Sequence, residues 1–344
     1  MKKKQIIFVA KIIISVALLI YMYYRIGPVW RQSTRTIWMG ISTHFLYFFL
    51  GMISFAFVAV ACTVRWKLLL DAQKVGFTFQ VAMKLYFLGL FFSQFMPGGI
   101  AGGDVVRAYY VTKQTPDKKE EAVAITILDR FIGILGLTAI LIVALFFLTD
   151  PRFLKWALYV IGISVLAAIG ASLFFSKRIM KGFPYIEKIC EKLPYRDTIT
   201  RIYNSCNHFK HHKLRLVVAL LLSTGVHLSL VTIAYFMGKS LGMEVGFRQH
   251  LIIMPLVSGL RSIPISPLGD MGTTEAAFIE MYHQTLAPGA SSGDLLVAFA
   301  FMMRGVYLAW ALVGWVIYMR ERSKNSEVTL RKIAKGKKRI SSEK

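Results

Sequence analysis

Residues 91–110 read FFSQFMPGGIAGGDVVRAYY, an apolar run that stops at Pro97 and resumes as a helix with charged residues. A second break of this kind lies in residues 256–282, LVSGLRSIPISPLGDMGTTEAAFIEMY. Lipid offers no partner to an unpaired backbone group, so non-helical backbone at membrane depth persists only when protein buries it or it lines a cavity. Paired breaks in the two halves of a chain therefore indicate a transport site.

The composition predicts a protein that is embedded in a membrane. Of the 344 residues, 56% are hydrophobic, and six apolar runs are long enough to cross a bilayer. These runs are Ile6–Tyr24, Ile41–Val64, Ala122–Leu148, Trp156–Phe175, Leu214–Met237 and Leu295–Met319. The expected fold is all-α: a polytopic membrane helix bundle of about six spanning helices, with two re-entrant broken-helix segments that enter from opposite sides.

The positive charge of the chain predicts its orientation. The formal net charge is +24, and much of it lies in residues 176–215 and in the tail, residues 321–344. Basic residues beside spanning helices mark the cytoplasmic side, so both termini are expected in the cytoplasm and the protein in the bacterial or archaeal plasma membrane. The same residues are expected to attract anionic lipid at the inner surface. No RNA-binding motif, zinc finger or recognition helix accompanies the charge, so nucleic acid is not an expected partner.

The chain is expected to form one membrane domain over residues 1–320, followed by the basic cytoplasmic tail. Within this domain, residues 176–215 form a basic linker whose apolar residues follow helical spacing. The spacing predicts two short amphipathic helices that either lie on the inner membrane surface or pack beneath the helix bundle. With the N-terminus inside, residues 81–110 would be reached from the cytoplasm and residues 251–287 from outside. The two segments then resemble an inverted repeat, each a pair of half-helices joined by a Pro/Gly turn.

Charged residues near the first turn are candidate functional groups, because charge inside a membrane is costly. Asp104 and Arg107 are three residues apart on one helix face and are able to pair with each other. Alternatively, backbone N–H groups of the turn glycines, together with Arg107, would hold a lipid phosphate at the start of the helix. These glycines are Gly98, Gly99, Gly102 and Gly103.

The third apolar run carries an adjacent pair, Asp129 and Arg130. Neighbouring residues point about 100° apart on a helix, so these two side chains do not face each other. Each needs another partner: Asp104 for Arg130, and either Arg107 or Arg304 for Asp129. The network would either stabilise the bundle or line a path for cargo.

The second turn has a similar set of charges. Arg261 precedes it, and Asp270, Glu275 and Glu280 follow it. Thr273 or Gly272 is a suitable N-cap, and Glu275 complements a helix N-terminus. Alternatively, the three carboxylates receive a cationic or hydroxylated headgroup or relay protons. Arg304 lies in the last apolar run, where an arginine is either paired internally or faces a polar cavity.

The sequence contains no familiar catalytic motif. GxSxG, HExxH and Walker patterns do not occur, and the three cysteines, Cys62, Cys190 and Cys206, lack metal-ligand spacing. No catalytic residue, metal or cofactor is therefore expected.

Three motifs in this order resemble the lysylphosphatidylglycerol synthase transmembrane-region family, also called flippase-like. They are the PGG…GGD…R turn near residue 100, the Asp129-Arg130 pair and SPLGDMGTTEA, and the resemblance extends to about Arg320. In the best-known relatives this membrane unit translocates an aminoacylated phospholipid that a separate soluble domain makes. The resemblance implies functional roles for Gly103, Asp104, Arg107, Arg130, Gly272 and Glu275.

The resemblance implies a lipid translocase that moves a phospholipid or a polyprenyl-phosphate lipid between leaflets. Synthase activity is not expected, because the sequence ends at Lys344 without the aminoacyl-transferring domain. A membrane-embedded transferase and an accessory protein of cell-envelope lipid or glycan synthesis are the alternatives, and self-association into homo-oligomers is left open. The expected path for the headgroup comprises Gly98, Gly99, Gly103, Asp104, Arg107, Asp129, Arg130, Arg261, Asp270, Gly272, Glu275 and Arg304.

Overall fold

A computed structural model gives the fold of most of the chain. It describes residues 32–96, 98–147, 151–175, 201, 205, 208–209, 212–262, 269–283 and 292–342. Within these ranges the secondary structure is helical and contains no strand, which confirms the all-α prediction. The first predicted span, Ile6–Tyr24, and most of the predicted linker lie outside the described residues.

The described helices follow one another with short connections. They are α1 (Phe45–Ala72), α2 (Phe79–Ser93), α3 (Ile100–Gln114), α4 (Lys119–Leu145), α5 (Pro151–Phe175), α6 (Lys213–Ser240), α7 (Phe247–Arg261), α8 (Thr273–His283) and α9 (Ser292–Ser342). Residues 32–43 are also helical and end at a bend before α1. In the described part of the chain, α1, α4, α6 and α9 are long and apolar enough to cross a membrane. The 25-residue helix α5 occupies the position of the predicted fourth span.

Two helices extend beyond the apolar runs that predicted them. Helix α1 continues past Val64 to Ala72, because the side chain of Arg65 is buried and paired and therefore does not end the span. Helix α9 continues through the basic tail to Ser342. Hydropathy marks where the lipid-compatible segment ends, whereas backbone hydrogen bonding carries the helix further.

The two broken segments enter the bundle from opposite ends, as predicted. Helices α1 and α6 are antiparallel: Gly51 near the start of α1 packs against Met237 near the end of α6, and Arg65 near the end of α1 bonds Ser223 in α6. The α2–α3 hairpin follows the C-terminal end of α1, and the α7–α8 hairpin follows the C-terminal end of α6. These ends lie on opposite sides of the bundle.

Each hairpin consists of helices too short to cross a bilayer. Helices α2, α3 and α7 have 15 residues each, which is about 22 Å at 1.5 Å per residue, against a hydrocarbon core of about 30 Å. The Thr78 hydroxyl caps the N-terminus of α2 by accepting a hydrogen bond from the N–H of Val81. Each half-helix therefore reaches the interior of the bundle and ends there.

The tips of the two hairpins meet. The N–H of Gly269 donates a hydrogen bond to the carbonyl of Met96 at 3.0 Å. Gly99 and Gly269 have φ of +54° and +57°, a conformation that glycine adopts without the penalty that a Cβ brings. A Cβ on Gly269 would lie 2.4 Å from the carbonyl oxygen of Gln94, so this contact requires glycine.

Apolar cores pack above and below the tips. One core joins α1, α6, α7, α8 and α9 and includes an aromatic group in which Phe55 stacks with Trp310 at 5.7 Å and meets Tyr307 edge-on at 5.5 Å. The other core joins α1, α2 and α4 around Trp66. These cores pack the hairpins against the longer helices and so set the position of their tips.

Candidate functional site

The first group of buried charges gathers around the α2–α3 hairpin. It comprises Arg65 of α1, Asp104 and Arg107 of α3, and Asp129 and Arg130 of α4, and is called the first cluster below. Three helices contribute to it, so the charges hold the hairpin against its neighbours.

Asp129 is the centre of the first cluster. Its two carboxylate oxygens accept hydrogen bonds from Nε of Arg65 at 2.8 Å and from an Nη of Arg107 at 2.9 Å. Arg65 also donates to the hydroxyl of Ser223 in α6 at 3.0 Å. The prediction that Asp129 pairs with Arg107 is confirmed. A carboxylate at 3% exposure is tolerated in this position because two guanidinium groups compensate its charge.

Asp104 forms ion pairs with two arginines. Arg107 lies 3.2 Å away on the same helix, and Nε of Arg130 bonds the other carboxylate oxygen. Arg130 also donates to the backbone carbonyl of Ile100 at 3.1 Å, at the start of α3. Both predicted pairings of Asp104 are thus present, and Arg130 fixes the tip of the hairpin to α4.

Arg107 is held by an aromatic ring as well as by carboxylates. Its guanidinium lies 4.5 Å from the centre of the Trp66 ring, a cation–π contact that stabilises a desolvated arginine. Its Nε is buried and has no hydrogen-bond partner among the described residues.

The second group of charges lies at the tip of the α7–α8 hairpin. It comprises Arg261, Asp270, Glu275 and Arg304 and is called the second cluster below. Asp270 accepts from Nε of Arg261 and, at 2.7 Å, from an Nη of Arg304. Nε of Arg304 donates to Glu275 at 2.5 Å. The alternative in which Arg304 pairs with Asp129 is therefore wrong, because two nearer carboxylates bind this arginine.

Glu275 has two roles in the second cluster. One oxygen accepts from Arg304, and the other accepts from the backbone N–H of Gly272 at 2.7 Å. Helix α8 begins at Thr273, so the carboxylate satisfies an N–H group at the helix N-terminus, where negative charge is favourable. The predicted helix-terminal role of Glu275 is confirmed, although the carboxylate also serves the ion network.

Arg304 and Arg130 have equivalent positions in the two halves. Each lies on the spanning helix that follows its hairpin and bonds a carboxylate just after the tip. Each also donates to a backbone carbonyl near the start of the second half-helix, that of Ile100 or, at 3.1 Å, that of Asp270. This correspondence supports the predicted inverted repeat. Arg304 further donates to the side chain of Gln94 at 3.3 Å and so connects the two hairpins.

A cavity of about 250 Å³ lies between the hairpins and the spanning helices. Four of the arginines line it, namely Arg65, Arg107, Arg130 and Arg261, together with Asp104 and Asp129. Apolar and neutral polar side chains complete the wall, among them Ile100, Ile134, Leu137, Ser258, Ser262 and Tyr307. The guanidinium of Arg261 lies 4.2 Å from the centre of the Tyr307 ring, an arrangement similar to that of Arg107 on Trp66.

Two of the four turn glycines use their backbone N–H groups within the hairpin in this conformation, so these two N–H groups are not available to a phosphate. The N–H of Gly99 bonds the carbonyl of Met96, and the N–H of Gly103 bonds that of Gly99, at 3.2 Å each. Gly103 instead permits close packing of the half-helices, since a Cβ there would lie 2.3 Å from the Gly89 carbonyl oxygen. Gly98 is partly buried beside this turn, and Gly272 is exposed at the start of α8.

Several residues of the site could not be identified from the sequence alone. Arg65 is the most important, because it shares Asp129 with Arg107 and lines the cavity. In the sequence it stands beside Trp66 and Lys67 at the end of an apolar run, where a basic residue indicates the cytoplasmic boundary. Gln94 and Ser223 are neutral side chains without a distinguishing pattern, and only the packed structure reveals their contacts.

Comparisons with known proteins agree with the fold. A family model described as "Lysylphosphatidylglycerol synthase TM region" matches residues 8–314. A UPF0104 membrane protein of Pyrococcus horikoshii is 22% identical over 320 residues, which cover 84% of this chain and 92% of the relative. A UPF0104 membrane protein of Methanocaldococcus jannaschii is 22% identical over 290 residues, 79% of this chain and 86% of the relative. No solved structure matches significantly.

Proposed function

The chain belongs to the lysylphosphatidylglycerol synthase transmembrane-region family, and on this premise we propose that it is a lipid translocase. In this proposal it moves a phospholipid or another lipid phosphate between leaflets and is a transporter rather than an enzyme. The observation that carries the proposal is the cavity between the two hairpins, which four arginines line. Guanidinium groups are suited to phosphate because they bind it through paired, charge-assisted hydrogen bonds.

The geometry supports a path for a headgroup whose acyl chains remain in lipid. A phosphate inside the hydrocarbon core loses its hydration, and the arginines replace that water with fixed donors. The side chain of Arg130 is 37% exposed and that of Ala101 is exposed as well. Both border the cavity, so a headgroup would reach the first cluster beside them.

Passage to the second cluster requires the hairpin tips to separate. Direct contact between the tips includes one backbone hydrogen bond, from Gly269 to Met96, and Arg304 of α9 donates a second bond to Gln94 at the first tip. A neutral hydrogen bond contributes about 1 kcal/mol net and one from a charged group about 1.5–3 kcal/mol, so parting the tips is compatible with a transport cycle. The inverted arrangement of the hairpins gives each side of the membrane an equivalent gate.

The proposal includes a location and an orientation. The protein is a multi-pass membrane protein. We place it in the plasma membrane with both termini in the cytoplasm, where the basic tail would contact anionic lipid. Membrane phospholipid or polyprenyl phosphate is the proposed partner, nucleic acid is not, and a homo-oligomer is compatible with the bundle.

Translocation is measurable with purified protein in liposomes. A fluorescent phospholipid is distributed over both leaflets, and a membrane-impermeant reductant then removes the signal of the outer leaflet. Lipid movement is expected to take the signal well below the half that remains in empty liposomes. Liposomes with heat-denatured protein are the control. If the remaining fluorescence equals that of the control under every imposed ion gradient, the proposal is contradicted. If the protein converts the lipid into a chemically different product, the transferase alternative is supported.

A further inference from the structure

Building on the proposed function, we infer that the cavity selects a lipid whose headgroup carries one net negative charge. The phosphodiester of this headgroup is held by Arg130 and Arg107 of the first cluster. The inference rests on the balance of buried charge, on the exposure of one arginine and on the pairing of every carboxylate in the two clusters.

The first cluster has an excess of positive charge. Three arginines, at positions 65, 107 and 130, share two aspartates, at positions 104 and 129, which leaves a net charge of +1. The second cluster is neutral, because two arginines face two carboxylates. A buried charge without a counterion is costly, so the first cluster favours a ligand that supplies one negative charge.

The excess charge is accessible at Arg130. Its side chain is 37% exposed, against 10% for Arg65 and 7% for Arg107. Arg130 uses Nε for Asp104 and one Nη for the Ile100 carbonyl, and its other Nη has no partner among the described residues. Arg107, whose Nε also lacks a partner, lines the same cavity. Two guanidinium groups with an unused donor therefore border the same cavity of about 250 Å³, which is large enough for a phosphodiester.

The carboxylates of the clusters give an ammonium group no place to bind. Asp104, Asp129, Asp270 and Glu275 each accept a hydrogen bond from at least one arginine. A zwitterionic headgroup, or an aminoacylated headgroup with a net positive charge, would place its ammonium beside guanidinium groups, and the described residues that line the cavity include no unpaired carboxylate. Repulsion between like charges disfavours both, whereas an uncharged polyol beside the phosphate finds the hydroxyls of Ser258 and Ser262.

Binding is measured without transport, through the melting temperature of the detergent-purified full chain with added ligand. The probes are dihexanoyl phosphatidylglycerol, with net charge −1, dihexanoyl phosphatidylcholine, with net charge 0, and dihexanoyl lysylphosphatidylglycerol, with net charge +1. We expect the −1 lipid to bind at least about tenfold more tightly than the other two, a difference of about 1.4 kcal/mol. Equal binding of the three lipids would overturn the inference.

Two substitutions change the charge of the first cluster in opposite directions. Arg130→Gln lowers it to zero and leaves Asp104 paired with Arg107, so the preference for the −1 lipid is expected to disappear. Asp104→Asn raises the net charge to +2, and the preference is expected to increase. Arg248→Gln removes the same charge from an exposed position that does not line the cavity and should leave the preference unchanged. Shifts in the same direction for both cluster variants would point to misfolding and overturn the inference.

Two further probes separate a lipid headgroup from a free phosphate compound. Glycerophosphoglycerol has the same charge without acyl chains, and inorganic phosphate lacks the polyol. If dihexanoyl phosphatidylglycerol binds more tightly than both of these compounds, the ligand is a lipid. If either compound binds as tightly as the lipid or more tightly, the assignment of a lipid ligand is overturned. Preferred binding of the −1 lipid without translocation in liposomes would refute the proposed function alone, while translocation without charge preference would refute this inference alone.

Discussion

At the scale of single residues, the site is built from carboxylates that each hold arginines of other helices. Asp129 joins α1, α3 and α4 through Arg65 and Arg107. Arg304 joins the two hairpins through Asp270 and Gln94. Removing one member of such a buried network is far more costly than removing an exposed ion pair, because the remaining charge loses its only compensation.

Asp129→Asn is expected to destabilise the protein by about 3–5 kcal/mol. The substitution leaves Arg65 with a neutral partner and leaves Arg107 only the longer contact to Asp104. The measurement is the stability of the purified protein in detergent, by thermal or SDS-induced unfolding.

The matched control for this substitution is Asp71→Asn. Asp71 pairs with Lys67 at 2.5 Å one turn away on α1, and both side chains are about one third exposed. Partly exposed helical pairs contribute about 0–1 kcal/mol. A loss of stability at Asp129 no larger than that at Asp71 would show that the buried network does not stabilise the bundle as we infer.

The sequence allows some of these pairings to be predicted and hides others. Asp129 and Arg130 are adjacent and point about 100° apart, so separate partners were predictable, and Arg107 and Asp104 fill those places. Arg65 was not predictable, because its position at the end of an apolar run is also that of an ordinary boundary residue. The partners of Arg304 depend on the rotation of α9 about its axis, which hydropathy does not determine.

At the scale of elements, two half-helix hairpins meet tip to tip and pack against the longer helices. The Pro/Gly breaks predicted both hairpins, but not their contact, since that contact depends on how deeply each hairpin inserts. Glycine at position 269 permits the approach in two ways: it adopts positive φ, and it leaves room for the carbonyl of Gln94.

Gly269→Ala is expected to separate the tips. The new Cβ would lie 2.4 Å from the Gln94 carbonyl oxygen, a distance that requires backbone movement. The reaction of Cys62, which lines the cavity, with a water-soluble thiol reagent is expected to become several-fold faster. The background for this measurement carries Cys190→Ser and Cys206→Ser.

Gly272→Ala is the matched control for the tip contact. Gly272 also has positive φ, +84°, but a Cβ there would meet no atom within 4 Å. Both substitutions therefore introduce backbone strain of about 1 kcal/mol, and only the one at Gly269 introduces a clash. Equal rates of Cys62 modification in the two variants would contradict the importance of the tip contact.

At the scale of the whole molecule, the hairpins are expected to open toward different sides of the membrane. In a chain without its three native cysteines, Asp117→Cys places a thiol in the turn after the first hairpin, and Glu244→Cys places one before the second. Both positions are exposed. We expect labelling of position 117 from the cytoplasm and of position 244 from outside. Labelling of both positions from the same side would contradict the inverted arrangement. Labelling of position 117 from outside and of position 244 from the cytoplasm would contradict only the proposed orientation.

The central claim is that the arginine-lined cavity is the path of a lipid headgroup. The most direct test is the rate at which an anionic fluorescent phospholipid changes leaflets in liposomes that contain the wild-type chain, Arg130→Gln or Arg248→Gln. We expect a wild-type rate at least about tenfold above that of empty liposomes, which corresponds to a barrier about 1.4 kcal/mol lower. For Arg130→Gln we expect a rate near that of empty liposomes, and for Arg248→Gln a wild-type rate. Translocation by Arg130→Gln as fast as by the wild type would contradict the claim.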